Sequence, residues 1–124
     1  MRRIILALAL LVTALPAFGQ SAPPYGYPFT IGTSPTQVLG VNNMRRRLIF
    51  FNPNDVAKVA LCPPTVRGAA ITCAVNGAGS ITILPYGSFS AESGVGSGSP
   101  LTIGGSWSAV ASAGGSNLTI LEFE

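Results

Sequence analysis

Histidine is absent from the 124 residues, and charge is scarce: seven Lys and Arg stand against four Asp and Glu, together 9% of the chain. Without imidazole, Ser-His-Asp and Cys-His catalytic arrangements are excluded, and so are His-ligated metal sites. Cysteine is limited to Cys62 and Cys73, which allows one intramolecular connectivity. Apolar residues with helical spacing occur only in the first segment, so helices are not expected beyond it. At this length one domain is expected.

What is present begins with an export pattern. Met1-Arg2-Arg3 precedes the apolar run Ile4 to Val12, and Ala17-Phe18-Gly19 follows with small residues at the −3 and −1 positions. Charged, then apolar, then small-x-small is the layout of a cleavable secretory signal, here residues 1–19. The run is shorter than the roughly 20 apolar residues that cross a bilayer, so no transmembrane segment is expected after cleavage. The remaining 105 residues, from Gln20, carry Arg45, Arg46, Arg47, Lys58 and Arg67 against Asp55, Glu92, Glu122 and Glu124, a balance of +1. That is too little positive charge for a nucleic-acid-binding face. A secreted or periplasmic location is the expectation.

An oxidising compartment favours a Cys62–Cys73 disulfide over free thiols or a zinc pair. It would close a twelve-residue loop containing Pro63-Pro64 and Gly68. On the chain-entropy argument such closure contributes on the order of 3 kcal/mol.

Short apolar runs separated by Gly, Pro, Asn and Ser read as strands at Thr36–Leu39, Arg46–Asn52, Val56–Cys62, Ala70–Val75, Ser80–Leu84, Ser106–Ser112 and Asn117–Phe123. A weaker strand lies at Ser88–Ala91 or Leu101–Ile103. This pattern predicts an all-β fold, a seven- to eight-stranded antiparallel β-sandwich, immunoglobulin-like or jelly-roll-like, over residues 36–124. Asn52-Pro53-Asn54-Asp55, Asn76-Gly77, Pro85-Tyr86-Gly87 and Ala113-Gly114-Gly115-Ser116 are turns, with Asn76-Gly77 a tight-hairpin signal. Alternation around Lys58 turns Ala57, Val59 and Leu61 inward and puts Cys62 on the outer face, at a sheet surface or edge. Leu48 to Phe51 is a central strand, and Trp107 a core anchor. Residues 20–35, with four Pro and with Tyr25, Tyr27 and Phe29, read as an extended arm. Residues 87–106, with six Gly and six Ser, read as a long mobile loop.

Candidate chemistry is sparse. Glu122 and Glu124 share one face of the last strand at a spacing compatible with a glycosidic carboxylate pair, but a solvated strand end is the better reading. Gly94 to Gly98 lacks the Lys-Ser/Thr and the strand-to-helix context of a phosphate loop. Asn117-Leu118-Thr119 fits a glycosylation sequon. Arg45-Arg46-Arg47 is the one charge run. It serves either as a solubilising strand edge or as a contact to an anionic surface. Tyr25, Tyr27, Tyr86 and Phe89 are the aromatic candidates for stacking on sugar rings, the tyrosines adding a polar tip to an apolar face.

Three segments carry a resemblance: Arg45-Arg46-Arg47-Leu48-Ile49-Phe50-Phe51-Asn52-Pro53-Asn54-Asp55, Gly79 to Gly87 with its Leu84-Pro85-Tyr86-Gly87 turn, and Trp107 to Ser112. Their order is similar to that of small β-sandwich accessory or fibre-type proteins of phage and prophage origin. The export segment and the cysteine pair depart from that pattern. The resemblance implies a surface-binding, non-enzymatic module and assigns no functional residue. The expectation is therefore a secreted or periplasmic, non-enzymatic structural or surface-binding β-sandwich without cofactor or metal. The alternative is a small carbohydrate- or anionic-surface-binding module using the Tyr-rich arm and Arg45 to Arg47. Its partners would be itself or a cell-surface glycan or lipid.

Overall fold

The computed structural model describes residues 23–64, 71–93 and 103–124; the export segment lies outside them. Among the described residues there is no helix. Eight strands follow one another: β1 (Tyr25–Ile31), β2 (Thr36–Leu39), β3 (Arg47–Phe51), β4 (Val59–Cys62), β5 (Ile81–Ile83), β6 (Ser88–Glu92), β7 (Trp107–Ala111) and β8 (Ser116–Phe123). They make two four-stranded antiparallel sheets, ordered β1-β8-β3-β6 and β2-β7-β4-β5. The pairs nest, first strand with last and fourth with fifth, as if one long hairpin had been wound up. An immunoglobulin constant-type domain instead splits seven strands four and three.

The core lies between the sheets. From the first sheet come Ile31, Leu48, Phe50, Leu118 and Ile120, and from the second Val59, Leu61, Ile83, Trp107 and Ala109. Strict alternation on β3 and β8 sends these side chains to one face, because successive strand residues point to opposite sides. Trp107 is fully buried, its ring 5.1 Å from that of Phe50 and tilted by 41°. A tilted aromatic pair adds about 1 kcal/mol beyond the area it removes from water. The β7–β8 turn needs a left-handed residue and has Gly115 at φ 73°. Ser116 Oγ closes that turn by donating to Ala113 O at 2.7 Å.

Several expectations require correction. The Pro- and Tyr-rich arm is not a free extension: its residues 25–31 are β1, paired along their whole length with β8. Tyr25, Tyr27, Phe29 and Ile31 alternate with Gly26, Pro28 and Thr30, and all four share the inner-face register with Glu122, Ile120, Leu118 and Ser116. Pro28, which has no N–H, is tolerated because β1 is an edge strand. The segment expected as a strand at Ala70–Val75 is none; Ile71 to Val75 cross the outer face of β4 and β7 as irregular chain, and Ala70 lies outside the described residues. The Asn76-Gly77 turn forms, with Asn76 at φ 60°, but it does not join two ladder strands. Of the expected 87–106 loop, Ser88–Glu92 is β6, Ile103 sits in a turn, and 94–102 lie outside the described residues.

Cys62 and Cys73 form the disulfide, with Cα atoms 5.4 Å apart. Cys62 does face outward from its sheet, but that face is covered: Ala60, Cys62 and Val110 pack under Ile71, Cys73 and Val75. This is why all four residues of β4 are buried rather than every second one. The bridge pins a third, small apolar layer onto the sandwich.

Candidate functional site

A shallow, open cleft of about 340 Å³ lies at the edge of the sandwich between β1 and the chain leaving β2. Tyr27, Leu39, Gly40, Val41, Asn42, Arg45 and Glu122 line it. It exists because the two sheets do not end together. Tyr25 and Tyr27 project toward the inner side of their sheet, but β2 is only four residues long and does not cover them. Side chains in core-facing register are thereby left 51% and 36% exposed. Val41 and Met44, both well exposed, lie on the chain between β2 and β3.

The floor is ionic. Glu122 continues the inward row of Leu118 and Ile120 on β8 and is 3% exposed; Arg45 is equally buried. Arg45 Nε donates to Glu122 Oε1 at 2.9 Å. Its Nη1 donates to Ile103 O at 2.8 Å and Gly105 O at 2.9 Å, and Nη2 to Gly40 O at 3.0 Å. One guanidinium thus ties the end of β2, the approach to β7 and the end of β8 together, using its planar fork of donors. The Asn42 amide Nδ2 donates to Glu122 Oε1 at 2.6 Å and Glu124 Oε1 at 2.9 Å. Asn42 Oδ1 in turn accepts from Met44 N–H at 3.0 Å, which holds the amide in place. Desolvation and the negative charges of Glu122 and Glu124 hold the Tyr27 phenol above its ordinary ionisation range.

Comparison with family models, curated proteins and solved structures returned no match.

The three arginines part company. Arg45 is buried in the ion pair, so it is not available to an external surface as the sequence pattern suggested. Arg46 is exposed, its backbone N–H donating to Phe123 O at 2.7 Å. Arg47 points to the outer face, pairs with Glu92 at 3.1 Å and lies 5.7 Å from the centre of the Phe123 ring. Tyr86 is not with the other tyrosines. β3 runs from Arg47, opposite Glu92 and Phe123, to Phe51, opposite Ser88 and Thr119, and Tyr86 sits in the turn entering β6 at that far end. It is exposed and holds φ 56°, an uncommon backbone for a non-glycine residue.

The structure therefore brings Tyr25, Tyr27 and Arg45 together at one end, keeps Arg46 exposed and Arg47 on the outer face at that end, and places Tyr86 at the other. It adds Asn42, Glu122 and Glu124, which sequence reasoning either passed over or placed on a solvated strand end. Glu122 was recoverable: it has the same parity as Leu118 and Ile120, so the alternation that buries them buries it. Among the described residues no three Cys, Asp or Glu side chains gather as a metal site. Glu122 and Glu124 bond to the same amide nitrogen, so they stand on one wall and do not face each other across the cleft.

Proposed function

We propose that this protein is an exported, non-enzymatic surface-binding sandwich of the jelly-roll type, and that the surface it meets is carbohydrate. The nested strand order is that of an eight-stranded double-sheet jelly roll, an architecture of lectin and viral capsid domains. Fold alone does not assign the activity. The observation that carries the reading is the Tyr25–Tyr27 ledge: two aromatic rings in core-facing register, left uncovered beside an amide and two carboxylates. A sugar offers an apolar C–H face for the rings and a rim of hydroxyls for the polar groups. Tyr suits such wet recognition because an apolar ring carries a polar tip.

Two features support binding without catalysis. Hydrolysis of a glycosidic bond places its carboxyl groups on opposite sides of the bond, whereas Glu122 and Glu124 share a wall, and Glu122 is engaged by Arg45. Contact with an anionic surface has weaker support, since Arg45 is internal and Arg47 has its own carboxylate partner. The disulfide is compatible with a location outside the cytosol. A glycan array probed with the oxidised protein tests the reading. Retention on oligosaccharides, lost in the Tyr25→Ala/Tyr27→Ala double variant with circular dichroism unchanged, is expected. Retention only on anionic vesicles, or equal glycan retention by the double variant, would refute it.

A further inference from the structure

We infer that the cleft selects a glycan carrying free ammonium groups, a deacetylated hexosamine polymer, over neutral or N-acylated chains; this rests on the carbohydrate reading above. The hydrogen-bonding inventory of the cleft points there. Both amide hydrogens of Asn42 are engaged by Glu122 and Glu124. Arg45 uses four of the five N–H donors of a guanidinium, on Glu122 and on the carbonyls of Gly40, Ile103 and Gly105. Apart from the phenols of Tyr25 and Tyr27, the side chains at the cleft have acceptors left to offer and almost no donors. Among the described residues Glu124 accepts one bond, from the Asn42 amide on Oε1, which leaves its exposed Oε2 for a ligand.

A ligand that satisfies such a wall must bring hydrogens. Sugar hydroxyls are both donor and acceptor, and their acceptor half would find little here. An ammonium group is donor-only, with three hydrogens and a positive charge. Charge points the same way: Arg45 and Glu122 neutralise each other in the lining, and the exposed Glu124, bonded to Asn42, adds a carboxylate at the rim. After desolvation, the charges of Glu122 and Glu124 contribute to the upward displacement of the Tyr27 phenol. Tyr faces attract cations through the ring quadrupole, so the ledge that stacks on the sugar ring also favours its ammonium. N-acetylation would remove the charge and replace three donors with one. A uronic acid would be repelled.

The test is calorimetric titration of the oxidised protein with a glucosamine oligomer and with its fully N-acetylated counterpart of equal length, below the pH at which the amine loses its proton. The expected result is about ten-fold tighter binding of the free-amine chain, the scale of one charge-assisted hydrogen bond. Glu124→Gln is the informative variant, because Glu124 is exposed and its substitution leaves the buried ion pair in place. It should bring the two ligands close to parity. Equal or tighter binding of the N-acetylated chain would overturn the ammonium selectivity and leave the carbohydrate reading standing. A preference unchanged by Glu124→Gln would overturn its assignment to these carboxylates. Binding of neither oligomer, nor of any glycan on the array, would overturn both.

Discussion

Replacing Arg45 by Met should nearly unfold this domain, although Arg46 beside it is expendable. Arg45 and Glu122 are each 3% exposed, and a buried pair broken from one side leaves an uncompensated charge, at a cost of about 3–5 kcal/mol. Some of that is relieved here, since Glu122 retains the Asn42 amide and borders the cleft. Against that relief, the carbonyls of Gly40, Ile103 and Gly105 lose their guanidinium donor. A loss of about 4 kcal/mol is expected from the two contributions together. A domain of this size has about 5–15 kcal/mol in total, so most of the margin would go. Urea unfolding under oxidising conditions, followed by fluorescence of the buried Trp107, measures it. With a slope near 1.5 kcal/mol/M, the midpoint should fall by roughly 2.5 M. Arg46→Met should stay within about 0.5 kcal/mol of the parent, as exposed substitutions usually do. The Arg45→Met/Glu122→Leu double variant closes a thermodynamic cycle, and a coupling of about 2 kcal/mol or more is expected for groups in direct contact. If Arg45→Met behaves like Arg46→Met, the guanidinium does not sit between the sheets and the cleft floor described above is wrong.

Three further outcomes follow from other parts of the molecule. In a spectrophotometric titration Tyr27 should ionise above the ordinary tyrosine value of about 10, identified by its loss in Tyr27→Phe. Because the folded state holds that proton more tightly, its contribution to stability is complete below pH about 10 and declines as pH rises through the folded value; a Tyr27→Phe variant should lack that alkaline decline. Asn52→Ala should destabilise by about 3 kcal/mol in the same urea assay, because Asn52 is fully buried and its amide donates to the carbonyls of Ala57, Ile83 and Leu84. A loss below about 1 kcal/mol would mean that water replaces it. Cys62→Ala/Cys73→Ala should lose about 3 kcal/mol from loop closure and increase binding of a hydrophobic dye as Ala60 and Val110 are uncovered. Unchanged dye binding would show that Ile71 and Val75 hold the outer layer without the bridge.

Much of the architecture was legible in the chain before any coordinates. Two-residue periodicity and turn chemistry are local, and they placed β2, β3, β5, β7 and β8 within a residue or two, with Trp107 in the core and the cysteines paired. Composition misled at β1. Four Pro across residues 20–35 suggested an arm, while the Tyr-x-Tyr-x-Phe-x-Ile alternation within it was the stronger signal. Ala70–Val75 misled in the other direction: its apolar residues serve a disulfide-held cover and not a ladder.

Local pattern thus determined which segments extend, which residues turn the chain and which side chains avoid water, because those preferences depend on a residue and its near neighbours. The cleft was decided by the winding. Arg45 meets Glu122 across 77 positions and Asn42 meets Glu124 across 82, and only the order in which strands return to the sheets brings them together. A triple-arginine run looks uniform in one dimension. Its first member became internal because the sandwich has an open end there, with a carboxylate and three backbone carbonyls that needed donors.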